Sequence, residues 1–378
     1  MSKRSFRIAL IAVIGSIVVV GLVALWLIRS ALAYPDHAHE GDGSLHTVEI
    51  RAGMSFPTIA RALADADVIE RPTWFRLYAM WRGVTSDVKS GTYVLPNNLT
   101  PHDVLETLLV GVKEKTVNVP IPEGLNMVEV FDILEKHQVA KAAELLKLAR
   151  DAEFLQRHGI AGESVDGYLF PATYNFRLGE KPVVVLERLI NKHRQVWNAL
   201  ATKHARSLKK LKDKLKWSDR DVLTLASIVE KEAVRPGERP RIAKVFINRL
   251  TDEDFSPKRL ETDPTIRYGC NVLATPSAAC VAWNEPCQKA VPPRPMGCDS
   301  LHRLQLDDRD NPYNTYQHEG LPPGPISNPG ESSMEGAMEP DDSNYFYFVA
   351  KPGGGGEHAF ARSYEDHKRN VEKYVHGN

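Results

Sequence analysis

The chain has 378 residues, and its 48 Lys and Arg balance 48 Asp and Glu for a formal net charge of zero. That balance supplies no bulk field for a polyanion, so composition argues against nucleic acid as a partner. Beyond the N-terminal segment the chain is long enough for two or three domains.

Lys3, Arg4 and Arg7 precede an uncharged apolar run from Ile8 to Ile28, long enough to span a hydrocarbon core. Cationic residues before the run, and Asp36, His37, His39 and Glu40 after it, favour a cytoplasmic N-terminus. Ala31-Leu32-Ala33 has the form of a signal-peptidase site, so cleavage is the alternative to an anchor. The length of the run, with Trp26 and Arg29 as interfacial residues, favours an uncleaved single-pass anchor over residues 1–33. Both readings export the rest of the chain.

An internal repeat follows. Val48, Ile50, Gly53, Ile59, Leu63 and Val68 recur 71 positions later as Val119, Ile121, Gly124, Val130, Leu134 and Val139. Thr92, Tyr93, Pro101, Val104, Leu105, Glu106, Leu108 and Leu109 recur at offset 81, from Thr173 to Ile190, which implies an insertion in the second copy. Each copy reads as a strand, a Gly turn, a helix, a Thr-Tyr strand and another amphipathic helix. The first copy resembles a LysM-type module, a small fold associated with N-acetylated glycans. Trp74, Tyr78, Trp81 and Tyr93 are its candidate sugar-stacking rings. The first three also fit helical spacing, which points to core packing for most of them. The lysine-rich segment 203–216 reads as a solvated linker helix, with contact to anionic polymer or lipid as the alternative.

The next helix is expected over Asp219–Val234, with Ser218 as N-cap and Asp221 completing a capping box. Val222, Ala226, Val229 and Ala233 form its apolar stripe, widened by Leu223, Leu225 and Ile228. Glu230 falls between Ala226 and Leu223, and Glu232 between Leu225 and Ile228. A carboxyl on an apolar face is partly desolvated and holds its proton toward neutrality, as a general acid must. An ion pair with Arg235 or Arg239 is the alternative, and periodicity does not choose between the two glutamates. A second helix over Arg239–Leu250, long Pro/Gly-rich connections, a strand over Tyr345–Ala350 and a helix from about Tyr364 complete the chain. Connections this long build sites more often than they merely join elements. Gly353–Gly356 lacks a following Lys-Ser/Thr and a helix, so it reads as a turn rather than a phosphate loop.

The ordered set Ser227-Ile228-Val229-Glu230-Lys231-Glu232-Ala233, Leu260-Glu261-Thr262-Asp263-Pro264-Thr265, Tyr313-Asn314-Thr315-Tyr316, Gly320-Leu321-Pro322-Pro323-Gly324 and Tyr345-Phe346-Tyr347-Phe348-Val349-Ala350 resembles the MltG (YceG-like) family of endolytic murein transglycosylases. The resemblance runs from about Thr47 to near the C-terminus. It implies an α+β chain in four parts: the anchor, a LysM-like domain over 46–115, a second repeat-like subdomain over 116–200, and a mixed α/β catalytic domain over 217–376. It also implies a bacterial inner membrane location with the catalytic region outside the cytoplasm. The implied substrate is peptidoglycan glycan strands, with synthases as possible partners and no cofactor.

The reaction implied is lyase cleavage of the MurNAc-β-1,4-GlcNAc bond, leaving a 1,6-anhydro end. The resemblance puts the catalytic glutamate at Glu230, with Glu232 as a neighbouring charge that raises its pKa. Ser227, Glu261, Asp263, Asn314 and Tyr316 are the supporting and substrate-binding residues, Asp263 chiefly as a brace of the Asp-Pro turn. Relatives often carry Gln where Glu261 stands, so a hydrolase using Glu261 or Glu232 as base remains open, as does a non-catalytic wall-binding scaffold. Cys270, Cys280, Cys287 and Cys298 are clustered and even in number, which in an exported chain indicates two disulfides in any of three pairings. His302, His318 and His358 share no metal-ligand spacing.

Overall fold

The computed structural model describes residues 3–112, 115–289, 300–353 and 355–377. The chain divides between residues 114 and 115 into two compact units, each with its own hydrophobic core.

In the first unit, α1 (Lys3–Ala33) runs into a short 3-10 turn, Tyr34–Asp36. Gly15–Asp36, the rest of α1 with that turn, holds an 18-residue window of mean hydropathy 2.2 and is long and apolar enough to cross a membrane. After it come β1 (Leu45–Ile50), α2 (Phe56–Asp65), α3 (Pro72–Arg82), β2 (Gly91–Pro96) and α4 (Pro101–Val110). Prolines at the first helical position start α3 and α4, where a missing N–H costs nothing. The two strands pair antiparallel with Val48 opposite Tyr93, and their inner faces pack on Phe56, Leu63, Phe75 and Leu105.

The second unit opens with the same plan: β3 (Thr116–Pro120), α5 (Met127–Lys136), α6 (Ala142–Ala149), α7 (Ala152–Arg157), β4 (Thr173–Arg177) and α8 (Pro182–Lys203). The repeat extends to backbone detail. Gly53 and Gly124 both adopt positive φ, 83° and 77°, as do Asp67 and Gln138 at 57° and 58°. Val119 lies opposite Tyr174, as Val48 lies opposite Tyr93. Each tyrosine hydroxyl donates to the carbonyl four residues earlier, Tyr93 to Lys89 and Tyr174 to Phe170, both at 2.6 Å. The insertion is accommodated by α7 and the segment leading to Asp166.

The chain continues through α9 (Ala205–Leu215), α10 (Asp219–Glu232), α11 (Arg239–Thr251), α12 (Asp263–Val272), α13 (Ala278–Lys289), α14 (Arg303–Leu306), α15 (Glu331–Met338), β5 (Tyr347–Ala350), β6 (His358–Ala361) and α16 (Tyr364–Val371). The lysine-rich α9 is more than a solvated linker, because Leu208 and Leu211 are buried in the shared core. That core is continuous from Val119 to Met338, so the second repeat copy and the C-terminal region fold as one body. The stretch read as connections contains α12, α13 and α15. α15 packs on α10 and α11, and its Gly336 allows the close approach: a Cβ there would lie 3.0–3.1 Å from backbone atoms of Arg239 and Pro240. β5 and β6 form an antiparallel hairpin across the Gly353–Gly356 turn, of which Gly354 lies outside the described residues. Cys270 and Cys280 are disulfide-bonded, tying α12 to α13. Cys287 is also in a disulfide, and Cys298 lies outside the described residues.

Candidate active site

Ser218 and Asp221 form the expected capping box and fix where α10 begins. Glu230 and Glu232 lie near its other end. Two residues in a helix are about 200° apart, so the carboxylates leave the helix in different directions. Their environments differ accordingly.

Glu230 turns inward, its side chain only 6% exposed. One oxygen accepts from Nη2 of Arg239 at 3.1 Å, and the other accepts from the backbone N–H of Gly330, the N-cap of α15, at 3.0 Å. Arg239 also lies 3.5 Å from Glu123 in the loop after β3. Both Glu230 oxygens are therefore engaged by donors. The ion pair with Arg239 weighed for this residue is present.

Glu232, the last residue of α10, turns toward the start of α12. Burial pushes its carboxyl pKa up to about 7, and the negative charge of Asp263 adds to that shift. The Thr262 hydroxyl and the Arg249 guanidinium oppose it, without reversing it. Thr262 Oγ1 is buried. Asp263 is exposed at the first position of α12 and accepts from the Tyr316 hydroxyl at 2.9 Å. Glu261, also exposed, adopts positive φ (52°), and its N–H donates to the Thr315 carbonyl at 3.2 Å. The charges of Glu261 and Glu232 act on Tyr316 and Arg249, which places all four in one neighbourhood. Arg249 is held by the carbonyls of Phe346 and Leu260 and lies over the rings of Phe255 and Tyr347.

Four of the residues singled out from the sequence, Glu232, Glu261, Asp263 and Tyr316, thus meet at one surface. Glu230 does not join them. Ser227 and Asn314 serve the scaffold. Ser227 is fully buried, donating its hydroxyl to the Thr224 carbonyl and accepting from the Ile326 N–H at 2.9 Å. Asn314 is also fully buried; its amide donates to the carbonyls of Gln305, Leu306 and Asp308, and its oxygen accepts from the Tyr316 N–H at 3.0 Å. Its polar atoms are committed to the loop that carries Tyr316.

Thr262, Arg249 and Asn328 were missed by sequence reasoning. Asn328 accepts from the N–H groups of Gly167 and Leu169, both at 2.9 Å, and donates to the Leu125 carbonyl at 2.9 Å. It joins the second repeat copy to the loop before α15. Nothing in its local sequence signals this, because the partners are more than 150 positions away.

The YceG-like family model matches residues 48–373. An endolytic murein transglycosylase of Bacillus subtilis (strain 168) is 28% identical over 343 residues, covering 87% of this chain and 84% of that relative. One from Streptococcus pneumoniae serotype 2 is 26% identical over 355 residues, 87% of this chain but 58% of the relative's length. The crystal structure of a YceG-like protein of Listeria monocytogenes matches with a TM-score of 0.52 at 30% identity, over 87% of this chain and 99% of that one.

Proposed function

The chain belongs to the YceG-like family, and from that premise we propose that it is an endolytic murein transglycosylase in which Glu232, not Glu230, is the proton donor. The relatives named for this activity support the reaction class. The observation that carries the residue assignment is the contrast between the two carboxyls: Glu230 is fixed between Arg239 and the Gly330 N–H, while Glu232 holds its proton up to about pH 7 beside Asp263. A general acid working near neutrality needs the second condition.

In this reading Glu232 protonates the glycosidic oxygen as the C–O bond breaks. Its carboxylate then takes the proton from the muramoyl 6-hydroxyl, whose oxygen closes onto the anomeric carbon to leave a 1,6-anhydro end. Intramolecular attack replaces an external nucleophile, so one carboxyl serves as acid and then base. Asp263, oriented by Tyr316, keeps the Glu232 proton in place before the reaction. The apolar α1 segment supports a single-pass anchor, and Lys3, Arg4 and Arg7 before it with Asp36 and Glu40 after it favour the enzyme lying outside the cytoplasm. The first unit, by its resemblance to LysM, is the part to which glycan binding is assigned.

The nearness of Glu261 and Asp263 supports one second reading, a hydrolase in which one of them activates water as in two-carboxylate glycosidases. Mass spectrometry of products from purified and nascent peptidoglycan, treated with the full chain, separates the two. Anhydro-ended products lost in Glu232→Gln support lytic chemistry centred on Glu232. Reducing ends, lost also in Asp263→Asn or Glu261→Gln, overturn it in favour of hydrolysis. Retained cleavage by Glu232→Gln, with loss in a folded Glu230→Gln, returns the assignment to Glu230.

A further inference from the structure

In the first unit, α3 carries apolar side chains on two faces. Phe75, Tyr78 and Ala79 are packed in the core, while Leu77, Met80 and Trp81 stand outside it at 52%, 54% and 79% exposure. The spacing of Trp74, Leu77, Tyr78 and Trp81 puts them on one stripe of the helix. That stripe lines one side of a cavity of about 480 Å³; the end of α1 (Ala31, Leu32), the turn after it (Tyr34, Pro35) and His102 of α4 line the rest. Core packing, expected from helical spacing for most of these rings, therefore fails for Trp81.

The connection from α1 to this face is short and braced. The Tyr34 ring lies 6.1 Å from that of Trp74, and its hydroxyl donates to the Arg71 carbonyl at 3.2 Å. His39 bridges Asp67 and Glu70, at 3.1 and 3.2 Å, just after the turn. No slack tether separates the apolar helix from the folded unit. When Ile8–Ile28 fills the hydrocarbon core, the headgroup layer runs from Arg29 toward Asp36, the stretch that lines one cavity with Trp74 and Trp81.

We propose that the Trp74–Leu77–Trp81 face of α3 docks into the headgroup region of the membrane crossed by α1, holding the first unit against the lipid surface. Tryptophan, with an apolar body and one N–H donor, suits that layer. Leu77, Met80 and Leu32 add aliphatic surface, which fits acyl chains better than the hydroxyl-rich edge of a sugar ring. The inference rests on α1 spanning the bilayer, and Trp26 within α1 reports that separately.

The test uses the full chain reconstituted in phosphatidylcholine vesicles, plain or brominated on the acyl chains close to the headgroup, with tryptophan fluorescence as readout. Trp26→Phe removes the signal of the anchor, and the double variant Trp74→Phe/Trp81→Phe, made in that background, then removes that of α3; because Trp81 is exposed and phenylalanine keeps a ring at position 74, the core stays intact. Bromine quenching that survives Trp26→Phe and is largely lost in the double variant supports docking. Quenching of Trp26 without quenching of Trp81 overturns docking and leaves the anchor standing. Quenching of neither overturns both. Trp81 that is open to acrylamide in vesicles and shielded by chitin oligosaccharide also overturns docking and makes the face a glycan platform.

Discussion

Two glutamates separated by a single lysine have different surroundings because a helix turns between them. Glu230→Gln removes one partner of a buried pair and leaves Arg239 with Glu123 alone, so it should cost stability, on the order of 3 kcal/mol, read by denaturant unfolding. Glu232→Gln should instead cut the cleavage rate at least about 100-fold without loss of stability at neutral pH. The pH dependence carries a sign. The Glu232 carboxyl titrates near its ordinary 4.5 when unfolded and at about 7 when folded. Between those values the folded chain binds more protons, so this residue's contribution to stability falls as pH rises and the loss is complete above about pH 7. Glu232→Gln should therefore match wild type in melting temperature near pH 4 and exceed it above pH 7. Catalysis needs the protonated acid, so kcat/KM should fall as pH rises through about 7. In Asp263→Asn the repulsion is gone and that falling limb should move to lower pH.

At the scale of elements, α10 was legible because its signals are local: a capping box, an apolar stripe and a stop near Ala233. The alternation and offset of the repeat likewise expose β1 to β4 and their helices. α12 and α15 were read as connections for a physical reason. α15 is eight residues with a glycine inside it, too short and too polar for a periodic stripe, and packing against α10 and α11 holds it in place. Asn328 belongs to the same class of long-range contact. Asn328→Ala leaves the buried N–H groups of Gly167 and Leu169 without their acceptor and should destabilise the second unit by about 2–4 kcal/mol, measured by urea unfolding. A loss confined to a few tenths would mean that water replaces the amide.

For the whole molecule, the two cores share no residue. Residues 115–378 expressed alone should unfold in one cooperative transition and should retain cleavage of glycan strands in solution, while losing any dependence on membrane. Failure of that piece to fold would show that the division at residue 114 is not a division of stability.

The chain by itself determined the apolar N-terminal helix, the repeat, the boundaries of α10 and α11 and the family, because each is written in local composition, period or an ordered set of motifs. It also supplied the carboxylates of the site, though not their roles. Only the tertiary structure decided which glutamate faces Arg239 and which faces Asp263. The electrostatic environment of a side chain is made by residues distant in sequence, here Gly330, Arg239, Thr262 and Arg249, and no helical wheel contains them.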